Sequence, residues 1–165
     1  MTSEKVAVIM GSDSDLPVVD ETIKTLSVFE IETKIFVISA HRTPDLAIEF
    51  AKTAKQEGFS VLIAAASLAA HLAGILASST ILPVIGLPIC STFCSGLDSL
   101  LSTVQMPSGV PVATVAVNGA KNAALLAVQI LAIKNLNLSE KLEKFKAEMV
   151  KNVLEKNKIL KYDKN

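Results

Sequence analysis

The sequence predicts an α/β domain: a parallel, doubly wound sheet with helices on both faces. Three observations carry that expectation. Short apolar runs recur along the chain at residues 6–10, 35–38, 61–64, 82–87 and 112–117. They are continuous rather than alternating, as strands covered on both faces are. Stretches with helical spacing of apolar residues separate them, which implies parallel strands joined by right-handed crossovers.

In order, Val6-Ala7-Val8-Ile9-Met10 is the first strand, and Gly11-Ser12-Asp13-Ser14-Asp15 is a turn leading into a helix over 16–27. Val19, Ile23 and Leu26 give that helix its apolar side. The second strand spans 32–38, with Ile35-Phe36-Val37-Ile38 read as a buried run. Thr43 is placed to cap the next helix, 44–57, and Pro44 suits its first position. Gly58 is placed to end it in a left-handed conformation. The third strand is 61–64, followed by an Ala-rich loop and a short helix within 65–79 that carries His71. The fourth strand is 82–87, with Pro83 near its start. A long connection over 88–96, a helix over 97–104 and a turn at Pro107-Ser108-Gly109 lead to the fifth strand, 112–117, and a helix over 120–133. The topology that fits is a flavodoxin-like, three-layer domain with strand order 2-1-3-4-5.

We expect one domain over 1–165, with an α/β core over 1–134 and a helical extension over 135–165. In the extension, Leu138, Leu142, Phe145, Met149 and Val153 keep a three-to-four spacing up to about Leu160, with Asn137 or Ser139 as cap. That stripe can lie on its own domain or on a neighbouring subunit, and the second is the expectation.

Composition excludes several classes. Net charge is zero, against the basic excess of a nucleic-acid binder. The longest apolar stretch, 61–76, contains His71 and is shorter than the roughly 20 residues of a membrane span. Met1-Thr2-Ser3-Glu4-Lys5 leads straight into a strand, so we expect no signal peptide and a cytoplasmic protein. Cys90 and Cys94 lack zinc-site or C-x-x-C spacing and read as plain thiols.

Chemistry concentrates after the first two strands. Gly11 permits close backbone approach, and Ser12 and Ser14 offer hydroxyls at a helix start that favours an anion. Asp13 and Asp15 fit a helix cap and an acceptor for ribose hydroxyls, while a plain capped turn is the alternative. Ser39-Ala40-His41-Arg42 falls at the carboxyl end of a strand, where open α/β sheets bind ligands. Histidine, here at 41, is the residue type suited to proton transfer near neutrality, and Arg42 can fork onto phosphate or carboxylate. His71, in its Ala-rich run, reads as a structural histidine.

Gly-Ser-Asp-Ser-Asp at 11–15, Ser-Ala-His-Arg-Thr-Pro-Asp at 39–45, Ala-Ala-His-Leu at 69–72 and Leu-Pro-Val-Ile-Gly-Leu-Pro at 82–88 occur in that order. Gly-Leu-Asp-Ser-Leu-Leu-Ser at 96–102, Val-Gln-Met-Pro at 104–107 and Asn-Ala-Ala-Leu-Leu-Ala at 122–127 follow. Together, over about 5–134, they resemble the class I, PurE-type N5-carboxyaminoimidazole ribonucleotide mutases of purine (IMP) biosynthesis.

The resemblance implies a homo-octamer with sites where subunits meet, needing neither metal nor organic cofactor. It also implies coupling to an ATP-dependent N5-carboxyaminoimidazole ribonucleotide synthetase. The implied reaction moves a carboxyl group from the exocyclic nitrogen to ring carbon 4, giving 4-carboxy-5-aminoimidazole ribonucleotide, with His41 as proton shuttle. Ser12, Asp15 and Arg42 would hold the ribose phosphate with Ser39 nearby, Ser14 and Gly11 lie in the same turn, and Ala66, Ser67 and His71 are candidates for lining the pocket. The chain departs from the family at Ala65-Ala66-Ser67-Leu68, where the family has a Gly-Ala-Gly-Gly loop, and at Ala73, where it usually has Pro. It is also two residues shorter around Asn118-Gly119-Ala120.

A carboxylase acting directly on aminoimidazole ribonucleotide and CO2 is the nearest alternative. A phosphate- or flavin-binding module, or a receiver, would share the topology. A receiver needs an Asp where Ala64-Ala65-Ala66 stands, and a flavin carrier usually stacks its ring on aromatics, of which this chain has one Tyr and no Trp.

Overall fold

The structure is a computed structural model and describes residues 4–159. The apolar runs form one five-stranded sheet in the order β2-β1-β3-β4-β5, with every neighbouring pair parallel. The strands are β1 (Lys5–Met10), β2 (Glu32–Val37), β3 (Phe59–Ser67), β4 (Val84–Ile89) and β5 (Ala113–Thr114). The helices are α1 (Leu16–Val28), α2 (Pro44–Thr53), α3 (Leu72–Ala77), α4 (Leu97–Val104), α5 (Ala120–Ala132) and α6 (Leu136–Ile159). Short 3-10 turns, Asp13–Asp15 and Cys94–Gly96, lead into α1 and α4.

The unbroken apolar character of β1 and β3 has a direct cause. Val6, Val8 and Met10 of β1, with Val61, Ile63 and Ala65 of β3, face one core built with α1, α5 and the start of α6. The residues between them, Ala7, Ile9, Leu62 and Ala64, face a second core built with α2 and α3. A strand that alternates between two buried faces has no place for a polar residue. On the second face, a Cβ at Gly86 of β4 would collide with the Thr103 side chain of α4.

Several expected boundaries are corrected. Residues 35–37 belong to an edge strand rather than a buried one, with Val37 56 % exposed. β3 runs on to Ser67, well beyond 64. β5 is cut to Ala113–Thr114 because the chain turns sharply after it: Gly119 N–H donates to Ala116 O, and Asn118 takes a φ of 56°. Thr43 does not cap α2; its hydroxyl donates to Ser39 O, while Pro44 does open the helix. α2 proper ends at Thr53, and turns carry the chain to Gly58, whose φ of 86° is left-handed as expected.

α6 starts at Leu136 and is capped by Asn135, whose Oδ1 accepts from Leu138 N–H, rather than by Asn137 or Ser139. Leu138 and Leu142 are buried in the α1/α5 core, Phe145 meets the Phe29 ring edge-on, and Lys141 pairs with Glu30. The first half of the stripe therefore packs on its own domain, whereas Met149 and Val153 remain 53 % and 65 % exposed. Leu160, expected near the helix end, lies outside the described residues.

Candidate active site

The register of the sheet brings three loops together. Met10 pairs with Val37 on one side and with Ala65 on the other, so β1, β2 and β3 end at nearly the same level. The chain runs from β1 outward to β2 and from β3 outward to β4 on the other side, so the switch point at which such sheets bind ligands falls between β1 and β3. Gly11, at the end of β1, is held to β3 by its N–H on Ala65 O at 2.9 Å. A Cβ on Gly11 would stand 3.8 Å from the Ala66 Cβ and 3.9 Å from an Asp15 carboxylate oxygen.

The first loop is a reciprocal cap. Ser12 Oγ accepts from Ser14 N–H, and an Asp15 carboxylate oxygen accepts from Ser12 N–H at 3.2 Å. Ser14 Oγ donates to Ser12 Oγ at 2.9 Å. Asp15 therefore caps the 3-10 turn and makes no side-chain cap to α1. It is 3 % exposed. Burial pushes its carboxyl above the ordinary value, against the lowering effect of hydrogen bonds from the Ser12 backbone and the Ser67 hydroxyl; the nearby Asp13 charge adds a smaller push upward.

The second loop, after β2, is tied to itself. Thr43 N–H and Oγ both donate to Ser39 O, and Thr43 Oγ accepts from Ser39 N–H. The Ser39 hydroxyl accepts from Arg42 N–H and Nε, at 3.2 and 3.3 Å. A terminal Arg42 nitrogen reaches back to Gly11 O at 3.2 Å, so the guanidinium bridges the first two loops.

The third loop follows β3. Leu68 takes a φ of 55°, a left-handed conformation that costs a residue with a side chain roughly 1–2 kcal/mol. Two tight turns follow, with Ala70 N–H on Leu68 O and His71 N–H on Ala69 O, both at 2.9 Å. They deliver His71 to the start of α3. Its Nδ1 lies 2.8 Å from His41 Nε2, with the two rings edge-to-face at 5.0 Å between centres. One nitrogen must carry the shared proton and the other accept it.

The loops enclose an open cavity of about 460 Å³, within the range of small-ligand sites. Every residue expected at the site lines it: Gly11, Ser12, Ser14, Asp15, Ser39, His41, Arg42, Ala66, Ser67 and His71. Leu68, the last residue of the loop that departs from the family, lines it too, as do Ala40, Ala69 and Leu72, which had not been singled out for it. Its lining joins the hydroxyls, Asp15 and Arg42 of the β1 and β2 loops to Ala66, Ser67, Leu68 and Ala69 of the β3 loop, and the imidazole pair links the β2 and β3 loops. Cys90 and Cys94 are free, exposed thiols that do not line it. Among the described residues no three metal-ligating side chains cluster.

The family model for AIR carboxylase matches residues 5–152. The N5-carboxyaminoimidazole ribonucleotide mutase of Pyrococcus horikoshii is 57% identical over 97% of this chain and 92% of its own length. The protein of the same name from Thermotoga maritima is 53% identical over 92% of this chain and 89% of its own. A solved structure of Treponema denticola PurE superposes with a TM-score of 0.87 at 27% identity, covering 96% of this chain and 99% of that one.

Proposed function

The chain belongs to the AIR carboxylase family, and from that premise we propose that it is an N5-carboxyaminoimidazole ribonucleotide mutase of purine biosynthesis. It converts its substrate to 4-carboxy-5-aminoimidazole ribonucleotide. The observation that carries the reading is the hydrogen-bonded His41–His71 pair, in a cavity that Ser12, Asp15, Ser39 and Arg42 also line.

The reaction needs little beyond what those residues offer. The N5–carboxylate bond breaks, its carbon leaves as CO2, and the nitrogen takes a proton. Ring carbon 4 then attacks the CO2, a carbon–carbon bond forms, and the hydrogen on carbon 4 leaves as a proton. One proton enters and one is returned, so a single imidazole serves both steps. His41 is that shuttle, and His71 fixes its ring through the shared hydrogen bond. Arg42, Ser12, Ser14 and Ser39 hold the ribose phosphate, and Asp15 accepts from ribose hydroxyls. A flavin reading has no support in the lining, which contains no Phe or Tyr for a ring to stack on.

Assembly belongs to the same proposal. Leu97 and Leu101, one turn apart on α4, and Phe93 before it are exposed, as are Met149 and Val153 on α6, consistent with a homo-octamer whose subunits cover them. No helix among the described residues is long and apolar enough to cross a membrane, and a phosphorylated substrate fits a cytoplasmic site. The carbamate on N5 must be made from an amine and bicarbonate by loss of water, which calls for an ATP-dependent synthetase upstream.

The test is to offer the N5-carboxylated ribonucleotide, and separately the unsubstituted ribonucleotide with and without bicarbonate. The mutase reading expects rapid conversion of the first without added bicarbonate. Rapid turnover of the unsubstituted ribonucleotide with CO2 alone would overturn it in favour of direct carboxylation.

A further inference from the structure

Thr43 stands where a helix cap belongs and does not serve as one. It directly precedes α2, and threonine is among the residue types that accept from the free N–H groups of a first turn. Its side chain nevertheless makes no cap to α2. The hydroxyl turns back across the loop: it donates to Ser39 O and accepts from Ser39 N–H, both at 3.0 Å. Thr43 N–H reaches the same carbonyl at 2.9 Å. Thr43 is exposed, so core packing does not account for it, and it does not line the cavity. A local preference given up without a gain in packing calls for another reason.

Both ends of this closure are fixed from outside the loop. Ile38 N–H donates to Met10 O at 2.9 Å, which ties the residue before Ser39 to β1. Pro44 follows Thr43 and opens α2, whose Ala47, Phe50 and Ala51 are buried. The three residues between, Ala40, His41 and Arg42, all line the cavity. Arg42 leans on the gripped residue as well, since its N–H and Nε donate to the Ser39 hydroxyl. We propose that Thr43 is a positioning residue. Its hydroxyl clamps Ser39, and the clamp holds the His41 imidazole against His71 and the Arg42 guanidinium on Gly11 O. Thr43 touches neither substrate nor reacting atoms; it restricts the turn before a ligand arrives, so that less freedom is lost on binding and the imidazole starts in place.

The proposal rests on the mutase reading, and steady-state kinetics of the full chain on the N5-carboxylated substrate separates the two. Thr43→Val and Thr43→Ala remove both hydroxyl bonds and keep the backbone one, whereas Thr43→Ser keeps all three. Because His41 and Arg42 lie on the same clamped turn, the first two variants are expected to lower kcat and raise KM, each roughly tenfold. Thr43→Ser is expected to recover most of both. Thermal unfolding is followed in parallel: a threonine that only stabilised the fold would lower the unfolding temperature and leave both constants of the folded variants unchanged. That result overturns the clamp, as does a change confined to one constant or a lack of recovery in Thr43→Ser, and each leaves the mutase reading standing. Failure of the unaltered chain to convert the N5-carboxylated substrate overturns both.

Discussion

His41 Nε2 and His71 Nδ1 meet at 2.8 Å over the end of β1, from loops that follow strands on either side of it. Gly11, at the end of β1, ties that strand to β3 through its N–H on Ala65 O, and its own carbonyl accepts from Arg42 of the loop that carries His41. Two imidazoles in such a bond share one proton. Full protonation of both leaves four donors and no acceptor, and the bond is lost.

His41→Asn is therefore expected to lower kcat by about 10²–10⁴-fold with little change in KM, the usual span for losing a general acid–base. His71→Asn removes the partner but leaves the shuttle, so its loss should be smaller. The acid limb of its pH–rate profile should shift, which a merely structural loss would not do. Steady-state kinetics across pH checks both, and His41→Asn with undiminished kcat would rule out the shuttle.

Arg42 is held by Ser39 and by the Gly11 carbonyl before any ligand arrives. Such preorganisation suits a fixed phosphate contact, because little side-chain freedom remains to be lost on binding. Arg42→Ala should raise KM by roughly 10–100-fold, the worth of one charged hydrogen bond, with kcat much less affected. Arg42→Lys should recover part of the loss. An unchanged KM in Arg42→Ala would remove the residue from phosphate binding.

Asp15 links stability to function. Its carboxyl is raised in the folded chain chiefly by burial, so the folded state holds the proton more tightly than the unfolded one. Stability from this group is full below the ordinary carboxylate range and is lost as pH rises through the raised value. Asp15→Asn removes the buried charge while keeping an acceptor for Ser12 N–H. It should unfold at a higher temperature than the unaltered chain near neutrality, and the gap should close as pH falls below the ordinary carboxylate range. Its KM should rise roughly tenfold through the lost charge-assisted contact. A variant less stable at pH 7 would contradict this account of Asp15.

Fold and site were legible to different depths. β1, β3 and β4 announce themselves because burial on both faces leaves an unbroken apolar run. The run at 35–37 looks the same and yet forms an exposed edge, since composition does not say which strand ends a sheet. Ser12, Asp15, Ser39, His41 and Arg42 could be placed because turn and cap residues directly follow apolar runs. The meeting of His41 with His71 depends on strand order and on two consecutive tight turns after Leu68, neither of which is local. Nothing in a leucine signals a positive φ; the one hint was that this chain lacks glycine where its family has it.

α6 shows where packing within the chain ends. Leu138, Leu142 and Phe145 are used at home, so truncation at Leu138 would damage the subunit's own core and confuse unfolding with dissociation. Met149 and Val153 lie beyond that contact, one turn apart and exposed. An exposed apolar row on a long helix is best satisfied by another subunit. Met149→Glu with Val153→Glu should therefore lower the assembly state seen by light scattering while leaving far-ultraviolet circular dichroism unchanged. Buried charges without partners account for that outcome, since each costs far more than the apolar contact it replaces. An undiminished assembly in the double variant would show that this row is not an interface and would leave α4, with Leu97 and Leu101, as the surface to test next.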